Sequence, residues 1–229
     1  MKRIITLFLL MCSLLLTACD NASIGVIGGA DGPTSIIVGE QKDNKKSYDD
    51  IKYFKEHYVD ERKLPVHDID IENPFVSDDR TLILDDSIEN ELELMIYEFY
   101  QNMMSGSFQK IKDIVVDDSL YAAIEADERN FNDGIYFSKI VLDEIDLVDK
   151  DDLEEISEQN RKNITEMLDE MNVTEFAIVE VEKTITHNEK SLSMAPQVGN
   201  GEVTRYYLLG KKDDSYKIIE VYWEGFMND

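Results

Sequence analysis

Two runs near the C-terminus, Val203 to Gly210 and Tyr216 to Trp223, carry apolar or aromatic side chains on both faces of a two-residue period. Tyr206 and Leu208 alternate with Val203, Tyr207 and Leu209; Tyr216, Ile218 and Tyr222 alternate with Ile219, Val221 and Trp223. Strands of this kind cannot face water on either side. The sheet they form must be covered twice, by helices on one face and by its own curvature on the other. Lys211-Lys-Asp-Asp-Ser215 between the runs reads as a hairpin turn.

Upstream, Val173 to His187 predicts a long strand with Val173, Ala177, Val179, Val181 and Ile185 on one face. Before it, Asp151 with Glu154 predicts the start of an acidic helix running through Met171. From Gly134 the period is also two, with Ile135, Phe137, Val141 and Ile145 alternating with Tyr136, Ser138, Ile140 and Leu142. The strongest helix is predicted between Ser87 and Ser105, where Ile88, Leu92, Met95, Ile96, Phe99, Tyr100 and Met103 recur at three- and four-residue steps. Asp86 and Glu89 have capping-box spacing at its start, and Gly106 suits its end. Phe108 to Val115 and Tyr121 to Asn130 predict two shorter helices. Thr81 to Leu84 predicts a short strand, and Tyr48 to Lys63 one amphipathic helix.

These elements predict an α+β fold, with N-terminal helices packed on a curved antiparallel sheet. Tyr97 to Val116 (Tyr-Glu-Phe-Tyr-Gln-Asn-Met-Met-Ser-Gly-Ser-Phe-Gln-Lys-Ile-Lys-Asp-Ile-Val-Val) resembles the opening helix, small-residue break and second helix of the nuclear transport factor 2-like (cystatin-like) cone. The resemblance covers Ser87 to Asp229. It implies a sheet wrapped around a pocket, a frame that serves noncatalytic modules and ketosteroid-isomerase-like enzymes alike.

The N-terminus sets the address. Lys2 and Arg3 precede an apolar run, Ile4 to Leu16, which ends at Leu16-Thr17-Ala18-Cys19. A basic tip, a short hydrophobic segment and small residues describe an export signal. Leu16, Thr17, Ala18 and Cys19 resemble the bacterial lipobox, in which the Cys receives a diacylglyceryl group and becomes the mature N-terminus. The expected organisation is a signal peptide over residues 1–18, a lipid-anchored tether over 19–47, an irregular and helical extension over 48–86, and the α+β domain over 87–229. Cys12 and Cys19 are the two cysteines, so no internal disulfide is expected.

The chain carries 49 acidic against 23 basic residues, a formal net charge of −26, and it becomes two units more negative once Lys2 and Arg3 are removed. Such a surface repels phosphate backbones, which excludes a nucleic-acid role. It repels anionic lipid as well, so the covalent lipid must hold the protein at the membrane. A hydrophobic content of 43% still suffices for one core.

After Cys19, Gly28-Gly29-Ala30-Asp31-Gly32-Pro33-Thr34 resembles the signature of the beta subunits of sodium-pumping decarboxylases. In that family the Asp takes part in sodium translocation within a bundle of membrane helices. A pump needs several spans of ~20 apolar residues each, and no such runs follow here. Four glycines and Pro33 disfavour a helix. The segment reads as a membrane-proximal tether or a docking motif for a membrane partner, with Asp31 in a turn before Gly32. Glu40 to Ser47 reads as a polar spacer.

Chemical motifs are sparse. His57, His67 and His187 lack metal-ligand spacing, and the acidic run Asp143 to Glu155 departs from a calcium loop. No metal or cofactor is expected. No nucleophile elbow, phosphate loop or dinucleotide fingerprint is present. If the domain were an isomerase- or dehydratase-like enzyme, Tyr121, Tyr136, Tyr206 or Tyr222 would be the oxyanion donor and Asp127 or Glu220 the base; the spacing selects none. The expected function is a noncatalytic, lipid-anchored binding or interaction module on the extracytoplasmic face of the cell membrane, with a membrane protein or small molecule as partner. The alternatives are that enzyme and an accessory of a sodium-pumping decarboxylase or other membrane complex.

Overall fold

The computed structural model describes residues 50–64, 71, 75–116, 118–223 and 225–227; Cys19, the lipobox and Gly28 to Thr34 lie outside them. In chain order the elements are α1 (Asp50–His57), β1 (Thr81–Leu84), α2 (Glu91–Ser105), α3 (Phe108–Lys112), α4 (Asp118–Asn132), β2 (Phe137–Leu147), α5 (Glu158–Met171), β3 (Phe176–His187), α6 (Glu189–Ser193), β4 (Gly201–Lys212) and β5 (Ser215–Trp223). The fold is α+β, built on one curved five-stranded sheet in the order β1-β2-β3-β4-β5.

The sheet is mixed, not wholly antiparallel as expected. β2 to β5 pair antiparallel, but β1 runs parallel to β2, from Thr81 opposite Lys139 to Leu84 opposite Leu142. The helices α2, α3 and α4 lie between these two strands in sequence and carry the chain back to the end where β1 began, which a parallel pair requires. Register shifts near Ser138 and Asp143 bend β2 against β3.

Helices also cover both faces, where sequence predicted curvature alone for one of them. On β3, Ala177, Val179, Val181 and Ile185 share a face with Lys183, which contacts Tyr100 of α2. Phe176 and Ile178 point the other way, beneath α1. There Phe54 and Tyr58 meet the Phe176 ring edge-on, at centroid distances of 5.0 and 5.2 Å. The Tyr58 hydroxyl donates to the Val148 carbonyl at 2.6 Å. Residues 50–64 are thus a working part of the domain's core. Burying a side chain such as Phe54, which is 0% exposed, contributes roughly 1.5–3 kcal/mol.

The first long helix begins one turn later than predicted. Asn90 is its N-cap, accepting from the amides of Leu92 (3.0 Å) and Glu93 (3.1 Å), while the Glu93 carboxylate accepts from the Asn90 amide group at 2.5 Å and from the Glu89 N–H at 2.7 Å. This is a variant of the capping box at 90–93, in which Glu93 reaches the N–H of the residue before the cap and the cap's own side chain. Asp86 instead accepts from the Ser87 and Ile145 amides and so ties the preceding turn to β2. The helix ends at Gly106, with φ of 77°. A Cβ there would lie 2.6 Å from the Phe131 ring, so both backbone and packing demand glycine.

The acidic helix predicted from Asp151 is interrupted. A 3-10 turn, Asp152–Glu155, ends at Ile156, whose extended backbone bridges to Met227; α5 then starts from the Ser157 cap. The predicted hairpin forms, with Asp213 and Asp214 at φ of 51° and 64° between β4 and β5. Beyond β5, Val115 bridges to Ile218 and extends the sheet by a short parallel pairing.

Candidate functional site

On the α2 side of the sheet, a cavity of about 300 Å³ opens where β2 begins and β3 ends. Register places Phe137 opposite His187 at its base, their rings 4.6 Å apart. Met103 and Met104 at the end of α2, Phe108 of α3, and Asp127 and Phe131 of α4 form the roof. Tyr136, Ser191 and Met194 complete the wall. Gly106 turns the chain sharply between α2 and α3, and so lets Phe131 close over that end.

Arg80, just before β1, anchors one side. Its Nη1 donates to the Met104 carbonyl at 2.7 Å and its Nε to Asp79 at 3.2 Å. The guanidinium lies against the rings of Phe131 (4.6 Å) and Tyr136 (5.5 Å). The Tyr136 hydroxyl donates to the other Asp79 oxygen. That bond holds the Asp79 carboxyl below its usual range and pushes the Tyr136 hydroxyl up.

His187 is fully engaged. Its Nε2 faces the Val198 carbonyl at 2.9 Å and must donate there; in the neutral ring, Nδ1 then accepts from the Ser191 hydroxyl at 2.7 Å. Asn188 caps α6 by accepting from the Ser191 N–H and donates to the Gly134 carbonyl. His187 and Asn188 together pin the excursion between β3 and β4 to the cavity rim. A Ser beside a His suggests a nucleophile and base, but Ser191 is buried at 4% exposure and its hydroxyl proton is directed into the ring.

Asp127 contrasts with these groups. It lies between Ile124 and Phe131 on the inward stripe of α4, and its carboxylate has no hydrogen-bond or ionic partner among the described residues. The side chain is exposed, yet exposed to a concavity: surrounding protein displaces bulk water and pushes the carboxyl up to about 6. The crowding around the group, more than its accessible area, sets that direction.

Of the six residues considered for acid-base work, the cavity holds only Tyr136 and Asp127. Tyr206 donates to Glu180 at 2.7 Å on the opposite face, and Tyr222, its register partner, stacks on Phe226. Glu220 accepts from the Val221 amide. Tyr121 lies exposed on α4 beside Lys112. No cluster of three metal-ligating side chains occurs among the described residues.

A second polar group lies deeper under α2. The Lys183 amine donates to the Tyr100 hydroxyl at 2.5 Å, which shares a hydrogen bond with the Tyr207 hydroxyl. Burial, aided by the nearby Arg205 cation, holds the Lys183 amine well below its usual range, and burial pushes the Tyr207 hydroxyl up to about 12. Arg205 itself lies 3.2 Å from the centroid of the Trp223 ring. Neither Arg80 nor Lys183 was singled out from sequence. For Lys183 a signal existed, because it occupies the inward position between Val181 and Ile185.

Set against known proteins, the chain matches no family model, no curated protein and no solved structure.

Proposed function

We propose that this protein is a noncatalytic, lipid-anchored binding module of the extracytoplasmic membrane face, and that its ligand enters the cavity between α2, α4 and the start of β2. The observation that carries the binding reading is a largely apolar hollow in which Arg80, Tyr136, His187 and Ser191 are already held by protein partners, leaving Asp127 and the Asn130 amide open to a ligand. Its size falls at the small-ligand end of the usual range. The anchor reading rests on Leu16 to Cys19, with residues 19–47 as tether. Among the described residues no helix is long and apolar enough to cross a membrane.

An isomerase- or dehydratase-like activity is the second reading, favoured by the presence of Asp127 and Tyr136 in one cavity. Proton abstraction would suit a carboxyl raised to about 6. It also needs a donor for the developing oxyanion, and the Tyr136 proton is committed to Asp79. Binding without turnover is the better fit.

The test uses the methionines as reporters. In protein labelled with ¹³C at the methionine methyls, a fragment that enters the cavity shifts Met103, Met104 and Met194 and leaves Met95 and Met167 in place. A fragment screen, with 2-phenylethanol among the probes, that moves no cavity methyl overturns the proposal; turnover of a bound carbonyl compound would favour the enzyme.

A further inference from the structure

We infer that the cavity selects a small apolar molecule carrying a protonated amine, with the Asp127 carboxylate as its counterion. The inference rests on reading the cavity as a binding site, and specifies what that site takes.

Four observations lead to it. The Arg80 cation is already paired with Asp79, bonded to a carbonyl and covered by rings, so it is a poor receptor for an anion. His187 has both nitrogens occupied, and the Tyr136 hydroxyl donates its hydrogen bond to Asp79. Asp127 is the one charged wall group without a partner among the described residues; the Asn130 amide beside it also lacks a side-chain hydrogen bond but is neutral, and the protein crowded around Asp127 already disfavours its charge. A cationic ligand would relieve that cost, whereas a carboxylate ligand would add to it.

The walls fit the same chemistry. Met103, Met104, Met194, Phe108 and Phe137 present polarisable sulfur and aromatic surface, which accommodates an apolar body and tolerates a neighbouring cation. The net charge of −26 concentrates cations at the protein and repels anions before contact is made. The amine would meet Asp127 at the α4 rim while the apolar part extends toward Met103 and Met104.

Three isosteric probes separate the possibilities. Phenethylamine, 2-phenylethanol and phenylacetate are titrated at pH 7.5 into the full chain in nonionic detergent, followed by methionine methyl shifts. Phenethylamine is expected to bind at least about tenfold tighter than 2-phenylethanol, the scale of one charge-assisted hydrogen bond. Asp127→Asn should bring the amine down to the level of the alcohol. Asp127→Ser repeats the test if that variant does not fold, and the Met95 and Met167 signals report folding in either case. If phenylacetate binds best, or the preference for the amine survives both substitutions, the inference is wrong. If the alcohol matches the amine at the cavity methyls, the binding reading stands and the amine inference falls. If none of the three probes moves those methyls, both fall.

Discussion

The Lys183 amine lies 2.5 Å from the Tyr100 hydroxyl, and that phenol is its one hydrogen-bond partner among the described residues. Among the described residues no carboxylate pairs with it, and burial holds it well below the usual lysine range. The unfolded chain takes up a proton near 10.5, and the folded side chain does so only at lower pH. Stability therefore rises with pH toward 10.5 and falls as pH drops. Lys183→Met should abolish this slope between roughly pH 7 and 9.5, below the tyrosine range. It should also stabilise the protein at pH 7 by roughly 1–3 kcal/mol. Urea denaturation at several pH values measures both; a variant less stable than the parent at pH 7 would mean that the amine contributes more through Tyr100 than its burial costs.

Asp127 has the opposite chemistry and its own pH signature. Its folded carboxyl, at about 6, lies above the ordinary 3.8, so the stability it contributes is complete below 3.8 and lost as pH rises through 6. Asp127→Asn should match the parent in Tm near pH 3.5, exceed it increasingly between 4 and 6, and hold a constant advantage above that. A Tm difference that does not change with pH would show that the carboxyl is not perturbed.

Arg80 joins the β1 entry to the end of α2. Arg80→Ala removes the bond to the Met104 carbonyl and the ring contacts together, and should cost roughly 1–3 kcal/mol in urea denaturation. Arg80→Lys keeps the charge but not the planar fork, so it should recover less than half of that loss. Full recovery by lysine would show that charge alone matters here.

Gly106 meets two demands at once. Gly106→Ala adds left-handed backbone strain of about 1–2 kcal/mol to a clash with Phe131. In a double-mutant cycle, Phe131→Ala should relieve the clash and leave the backbone cost. Additive effects in that cycle would rule out the clash.

Cys19 carries the membrane prediction. Cys19→Ser should release the protein from the membrane fraction, or leave it there with its signal uncleaved, and remove the mass of the lipid. An unchanged mass with unchanged fractionation would end the lipoprotein reading.

How much of this was legible follows the kind of information each feature needs. The strands Phe176–His187 and Ser215–Trp223 were visible because burial on both faces writes itself into a two-residue period. The start of α2 was misplaced by one turn because Asp86 with Glu89 and Asn90 with Glu93 offer the same spacing pattern, and the tie from Asp86 to the Ile145 amide is a long-range choice. The parallel β1 pairing depends on where three helices deliver the chain, which local sequence does not encode. At the cavity, Tyr136 and Asp127 could be named but not paired, since the convergence of α4 with the start of β2 is tertiary. Lys183 was legible in principle: a lysine at the inward position of an apolar strand signals a buried amine, and only alternation across the whole strand isolates it.

The short pairing of Val115 with Ile218 bears on crowding. An open sheet offers its outer strands as templates for other chains. Here β5 is partly capped by residues 114–116, while β1, at the other margin, is four residues long and bridged by Val76. If the proposed lipid anchor confines the molecules to two dimensions, they would collide often and in similar orientations. With β1 short and the outer edge of β5 interrupted at Ile218, the margins offer fewer continuous positions at which a neighbouring copy could add a strand.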